Sequence, residues 1–336
     1  LDDITRWYAY MQPASSVIQL TTLIAVGQGL FLALYTGQVY SLAHLLEPQD
    51  RQSFYDVGSA LAMTFLVAGL VASFFHLGHP ERAWRSIARW RTSWLSREVI
   101  VLPVVMLLVF LYGLVHYLEW TAPLFTVAGT LPVDASLIIG ALATLATFAL
   151  FICTGMIYAS IRFLQEWHSA LTVINFTLLG GASGFMLAAA FSAFIGVHLV
   201  GFYGIWAVIL TVSAMLTRGA SLLRNHRLRP KSTMQSAIGV RHTTIRQIAQ
   251  GAMGGSFNTR EFFHHRPERV VGMARLAFLV LVFPAPVLLL SAAWGLSSAV
   301  LPILAFMTQY LGLLIERWYF FVEARHPQNL YYQSIA

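Results

Sequence analysis

Between two long apolar runs, the stretch 76–98 gathers His76, His79, Arg82, Arg85, Arg89, Arg91, Arg97 and Glu98, with Trp84, Trp90 and Trp94 among them. Histidine titrates near neutrality, so His76 can donate a hydrogen bond to a carbonyl oxygen and exchange a proton with it. Glu98 can carry protons between such a site and water. Arg82 and Arg85 can stabilise negative charge on a bound molecule, or pair with acids of a partner. Each residue also has a plainer reading. His76 ends an apolar helix just before Gly78 and Pro80, and Glu98 opens the next one; both positions suit the helix dipole. Arginines between apolar helices report topology. The tryptophans fit an interfacial belt, and Trp84 alternatively walls a pocket for a flat ring.

The elements that must position this stretch are membrane helices. The chain is 57% apolar and 10% charged, against about 25% charged in an ordinary soluble domain. Eight apolar segments, about 14–35, 54–75, 99–116, 135–157, 171–195, 200–216, 271–293 and 297–320, are long enough to cross a hydrocarbon core roughly 30 Å thick. Segments of this length read as helices, since a β-barrel would show runs of about ten residues with period-two alternation. The expected fold is all-α: an integral membrane bundle of eight helices forming a single domain over 1–336. The first segment carries Gly27 and Gly29, and Gly180, Gly181 and Gly184 in the fifth would let a neighbouring helix backbone come close.

Positive charge sets the orientation. With eight spans, 20 of the 21 Lys and Arg fall on the side that holds the N-terminus, and Arg51 alone falls on the other. The basic side is therefore expected to be cytoplasmic, with both termini on it. This also accounts for the net charge of +7 without nucleic acid. The connection 218–270 is basic and rich in Ser, Thr, Gln and Gly. It reads either as a solvated loop near anionic headgroups or as a docking surface, with Phe257, Phe262 and Phe263 as anchors. Glu316 and Arg317 lie at the basic end of the last helix, as an ion pair, as snorkelling side chains or as a further proton-transfer site. The single cysteine, Cys153, excludes a Cys-ligated zinc or iron–sulfur centre and reads as a small buried hydrophobe. No metal site is expected. Haem within the bundle would need two axial histidines at matching depths, and His44, His76, His116, His168 and His198 force no such pair.

The residues His76-Leu-Gly-x-Pro80-x-Arg82-Ala-Trp84-x-Ser86, continued by Ser93-x-x-Ser96-x-Glu98, resemble the signature of the DMSO reductase anchor-subunit (DmsC) family. The resemblance covers the eight-helix plan over nearly the whole chain. It implies a bacterial inner-membrane anchor without haem, which exchanges electrons between a four-cluster iron–sulfur subunit and membrane quinone, either ubiquinone or menaquinone. The molybdopterin cofactor would reside in a separate catalytic subunit. It further implies that His76, Gly78, Arg82 and Glu98 are quinone-site positions, with Trp84 beside them and His76 and Glu98 transferring protons. Arg85, Arg89, Phe257, Arg260 and Phe263 are the docking positions this reading suggests.

Within the family, a cytoplasmic basic side resembles the branch of quinone-linked sulfite dehydrogenase anchors. So do Ser256-Phe-Asn258-Thr-Arg260-Glu261-Phe-Phe263-His264 and Arg325-His326-Pro327-Gln-Asn329-Leu-Tyr331-Tyr332. The chain is expected to be non-catalytic alone. Beside this reading, and beside that of a purely structural anchor with no quinone site, stand two rivals. One is a quinol-oxidising anchor of a DMSO- or tetrathionate-type reductase. The other is a proton-coupled transporter, against which stands the scarcity of polar groups at mid-bilayer.

Overall fold

A segment inside a bilayer has no water for its backbone N–H and C=O groups, so it must close its own hydrogen bonds. The computed structural model describes residues 15–47, 53–75, 77, 79–127, 131–229, 231, 233–245 and 267–325. The chain forms α1 (Ser15–Leu42), α2 (Ser53–Phe74), a 3₁₀ helix (Pro80–Arg89) and α3 (Trp94–Tyr117). A small hairpin, β1 (Phe125–Val127) and β2 (Leu131–Val133), follows. Then come α4 (Ala135–Ala159), α5 (Ala170–Ile195), α6 (Val200–His226), the short α7 (Met234–Ile238), α8 (Glu268–Val282), α9 (Pro284–Leu296) and α10 (Val300–Glu323). Among the described residues, eight spans are long and apolar enough to cross a membrane, with α8 and α9 together making one. The protein is a multi-pass, all-helical membrane protein; the hairpin, which pairs Phe125 with Val133 and Val127 with Leu131, is a short extramembrane addition.

Several boundaries differ from the sequence expectation for local reasons. The third span starts at Trp94 and not at 99, because the Ser93 hydroxyl caps it by accepting from Ser96 N at 3.3 Å. Asp134 and Ser169 cap α4 and α5 in the same way, accepting from Leu137 N at 2.9 Å and Leu171 N at 3.2 Å. The first span continues to Leu42 and the sixth to His226, so Arg218 and Arg224 are helical residues, not members of the 218–270 connection. The seventh span is broken at Phe283, the residue before Pro284, a position that disfavours the helical conformation. Pro286 has no N–H to offer the Val282 carbonyl four residues back. Gln309 Nε2 of α10 donates to that carbonyl at 3.2 Å, so the break is satisfied from the neighbouring helix.

The most enclosed of the spans are α1 and α5, which cross at glycine. A Cβ added to Gly29 would lie 2.9 Å from Gly184 Cα, and one on Gly184 would collide with the Gly29–Leu30 backbone. The two backbones are therefore in direct contact, and the close approach expected at the glycines of the fifth segment is to α1. Around this pair α2, α3, α4, α6 and α10 pack a core that includes Leu30, Phe31, Leu66, Val109, Met186 and Tyr203. At the end away from the 3₁₀ helix, polar side chains join α1, α3 and α4. Tyr112 Oη donates to Gln38 Oε1 at 2.8 Å, Gln38 Nε2 to Ser136 Oγ at 2.5 Å, and Ser136 Oγ to Asp134 Oδ1 at 2.7 Å. Cys153 is buried and unpaired, as expected.

Replacing Gly184 with Leu should force α1 and α5 apart, at a cost of about 1–3 kcal/mol or more. The expected result is a clearly lower melting temperature for the purified protein in detergent. Gly219→Ala is the control: a methyl there meets nothing within 4 Å, so helix propensity should raise stability by about 0.5–1 kcal/mol. An unchanged melting temperature for Gly184→Leu would contradict the crossing.

Candidate functional site

Of the residues that carry the predicted chemistry, His76, Gly78, Phe257, Arg260 and Phe263 lie outside the described residues. The others occupy two separate settings at the same end of the bundle.

The first setting is the connection from α2 to α3. Pro80 opens a ten-residue 3₁₀ helix that packs against the start of α3. On it, Arg82, Trp84, Arg85 and Arg89 are exposed. Arg82 Nε approaches Glu81 Oε1 at 3.6 Å, and His79 Nδ1 meets the same oxygen at 3.1 Å. The Arg85 guanidinium lies 5.6 Å from the centre of the Trp84 ring. Arg97 fastens the connection to the helix. Its Nε donates to Trp90 O at 3.0 Å and its Nη2 to Arg91 O at 2.8 Å, while its guanidinium lies 4.2 Å from the Trp94 ring. Such a fork can close two carbonyls at once because its donors diverge in one plane.

Because α3 begins at Trp94, Glu98 is not the acid that opens the helix. It sits in the second turn, within a membrane-spanning helix, where the macrodipole gives less support. Its side chain is half-buried and accepts a hydrogen bond from the Thr154 hydroxyl of α4. One carboxylate is thus held at a defined height between α3 and α4, with capacity left for a second polar contact. Thr154 and Tyr158 are one turn apart on α4, and Tyr158 packs against Phe176, Trp167 and Phe320.

The second setting is closed. Glu316 and Arg317 of α10 and Arg218 of α6 are each 1–2% exposed. Arg218 Nε lies 2.8 Å from Glu316 Oε1 and its Nη1 lies 3.5 Å from Glu323 Oε2; Arg317 Nε lies 3.5 Å from Glu316 Oε2. The Arg317 guanidinium sits 3.6 Å above the Phe176 ring, inside an aromatic cluster with Tyr158, Trp167 and Phe320. Arg218 Nε, Arg317 Nε and Glu316 Oε2 have no aligned hydrogen-bond partner, so close charge, not directed hydrogen bonding, holds these atoms. Two guanidinium groups against two carboxylates give near-neutrality in a place where an isolated charge would be costly. Glu316 is held between two arginines and is not brought to Glu98.

Sequence reasoning missed Thr154, Tyr158 and the place of Arg218. The signal for Arg218 is the spacing Thr211, Ala214, Arg218, Ser221, which continues one buried helical face past residue 216. Thr154 carried no separate signal, since a threonine in an apolar helix usually bonds its own backbone. Among the described residues, a cleft of about 360 Å³ lies between α1 and α10, lined by Ser15, Ile18, Gln19, Leu314, Ile315 and Trp318. None of the predicted quinone positions lines it. No group of three His, Cys, Asp or Glu side chains suited to a metal occurs among the described residues.

The chain matches the family model described as DMSO reductase anchor subunit (DmsC) over residues 12–322. It is 63% identical over 326 residues to the sulfite dehydrogenase C subunit of Allochromatium vinosum, covering 97% of this chain and 100% of that protein.

Arg218→Met would strand Glu316 between α6 and α10 with one cation fewer, and breaking a buried pair costs about 3–5 kcal/mol. The expected outcome is a large drop in thermal stability in detergent. Arg218→Met combined with Glu316→Gln should recover much of that loss. Equal melting temperatures for the single and double variants would show that the two groups are not coupled.

Proposed function

Because the chain belongs to the DMSO reductase anchor subunit (DmsC) family, we propose that it anchors a molybdopterin and iron–sulfur oxidoreductase in the membrane and passes that enzyme's electrons to quinone. The partners are an iron–sulfur electron-transfer subunit and a molybdopterin catalytic subunit. Sulfite is the proposed electron source, a choice that rests on the likeness to a sulfite dehydrogenase subunit. The basic end of the bundle faces the cytoplasm in this proposal, on the distribution of Lys and Arg. The docked subunits then sit over the 3₁₀ helix, where Arg85 and Arg89 are free to meet acidic side chains, and over the connection that bears Phe257, Arg260 and Phe263.

The observation that carries the quinone assignment is the setting of Glu98: a single half-buried carboxylate, inside a membrane span, hydrogen-bonded to Thr154 and adjoining the basic connection. A quinone supplies an acceptor for two electrons and two protons. The protein must hold its ring and deliver those protons. Glu98 is placed to deliver a proton because Thr154 occupies only part of its hydrogen-bonding capacity. His76 and Gly78 precede the 3₁₀ helix in the chain, and His76 is the proposed hydrogen-bond donor to a quinone oxygen. Arg82 offers positive charge from the exposed side, and Trp84 borders the approach from the lipid. Glu316 is assigned to holding α6 and α10 together through Arg218, not to proton transfer.

The test uses the assembled complex. Glu98→Gln and His76→Ala should each lower sulfite-to-quinone turnover by on the order of 100-fold, the usual worth of a positioned proton donor. Sulfite oxidation with an artificial acceptor that bypasses the anchor should keep its rate, and the subunit ratio should not change. Full assembly with undiminished quinone turnover would remove both residues from the site.

A further inference from the structure

A 3₁₀ helix repeats every three residues, so side chains at i and i+3 stand in line, and runs beyond three or four residues are uncommon. Pro80–Arg89 continues for ten residues, about 20 Å at roughly 2.0 Å per residue. Its sequence is written in threes. Ala83, Ser86 and Arg89 form one row, in which Ala83 and Ser86 are the half-buried positions against the bundle and Arg89, at the helix end, is exposed. Arg82, Arg85 and Ala88, with Arg91 just beyond the helix, form a second row that is exposed and charged at all but Ala88. Trp84 and Ile87, with Trp90 at the C-cap, form the third. That row is large and apolar, yet 67%, 43% and 52% exposed. Glu81 begins the same row, with His79 Nδ1 at 3.1 Å and Arg82 Nε at 3.6 Å from its carboxylate.

An apolar row left in water would be unfavourable, and the chain on either side indicates what covers it. Phe75 is 80% exposed and Leu77 37% before the helix, and Leu95 is 53% exposed after it. Phe75 directly follows α2 and Leu95 belongs to α3, so the chain enters and leaves the apolar row through exposed apolar residues at the ends of two membrane-length helices. Tryptophan favours the headgroup level, where an apolar ring and a polar N–H are both accommodated. Arginine one row away can reach phosphate or water. A soluble subunit would meet the arginine row more readily than a tryptophan row that lies level with lipid-facing residues.

We infer that Pro80–Arg89 is an interfacial helix lying in the plane of the membrane, with Trp84, Ile87 and Trp90 seated in the headgroup–acyl boundary of the bilayer. The three rows then have three different neighbours: Ala83 and Ser86 the bundle, Arg82 and Arg85 the aqueous side, and the tryptophan row the lipid. Such a helix fixes the connection between α2 and α3 at a constant depth, and with it the height of the approach to Glu98. This goes beyond the quinone assignment and does not depend on it.

The test is a nitroxide scan. In a Cys153→Ser background, single cysteines at positions 82 to 87, 90 and 91 are spin-labelled in the full chain. Collision rates with oxygen and with a water-soluble nickel chelate are then measured in phospholipid nanodiscs, with and without the co-purifying subunits. Expected is a period of three: labels at Trp84→Cys, Ile87→Cys and Trp90→Cys show oxygen-to-nickel ratios several-fold higher than those at Arg82→Cys, Arg85→Cys and Arg91→Cys. Labels at 83 and 86 should be shielded from both. Equal nickel access at the tryptophan and arginine rows would overturn the inference. So would a tryptophan row that is nickel-accessible alone and becomes shielded only when the subunits bind, which would make it a protein-docking face. Because the pattern is read over eight positions, failure of one variant to fold leaves it legible.

Discussion

Helices in lipid have little hydrophobic reason to associate, because acyl chains are as apolar as leucine; they associate where they can come close. In this protein that place is the contact of Gly29 with Gly180 and Gly184, where α1 and α5 meet backbone to backbone. The other spans are arranged around this pair. Gly58 and Gly69 of α2 lie against Leu34 and Ile24 of α1, and Gly140 of α4 lies against Tyr35. The position of α4 decides where Thr154 stands, and Thr154 holds Glu98. A contact between glycines with no chemistry of their own therefore helps set the position of the carboxylate proposed here to transfer protons.

Polar groups are distributed in keeping with the same economy. At one end Asp134, Ser136, Gln38 and Tyr112 form a closed chain of hydrogen bonds. At the other, Arg218, Arg317, Glu316 and Glu323 cancel one another inside the bundle. Near mid-span, Gln309 is occupied with the carbonyl that Pro286 leaves open. Glu98 differs from these groups. Its only hydrogen bond among the described residues comes from a single hydroxyl, and it stands beside a connection whose arginines are exposed. That contrast, between charges that cancel inside the bundle and a carboxylate held by one hydroxyl beside an exposed basic connection, sets the candidate site apart from the scaffold.

Much of this was legible in the chain itself. Apolar length gave eight spans, and the glycines of the fifth marked a close approach whose partner, α1, only the fold supplied. The misreadings share one cause. Boundaries in an apolar sequence are set by caps and by the next turn's surroundings, which hydropathy averages away. Ser93 moved the start of α3 back to Trp94 and carried Glu98 into the span. The extension of α6 turned Arg218 from a loop charge into a buried one. Thr154 and Tyr158 remained invisible because their importance lies in what stands opposite them. The apolar row of the 3₁₀ helix was equally hidden, since a period of three cannot be told from a helical one over so short a stretch.

By itself, the sequence determined that the chain crosses a membrane, that it does so as helices, and that its positive charge lies at one end. Each follows from a sum over many residues, to which no single contact matters: transfer free energy, backbone hydrogen bonding in hydrocarbon, and charge near the membrane surface. Only the tertiary structure decided that Glu98 is paired with a threonine while Glu316 is locked between arginines. Those two outcomes depend on which side chain faces which across a helix interface. One residue of shift along either helix would turn a side chain by about 100°, and nothing in hydropathy or composition records that angle.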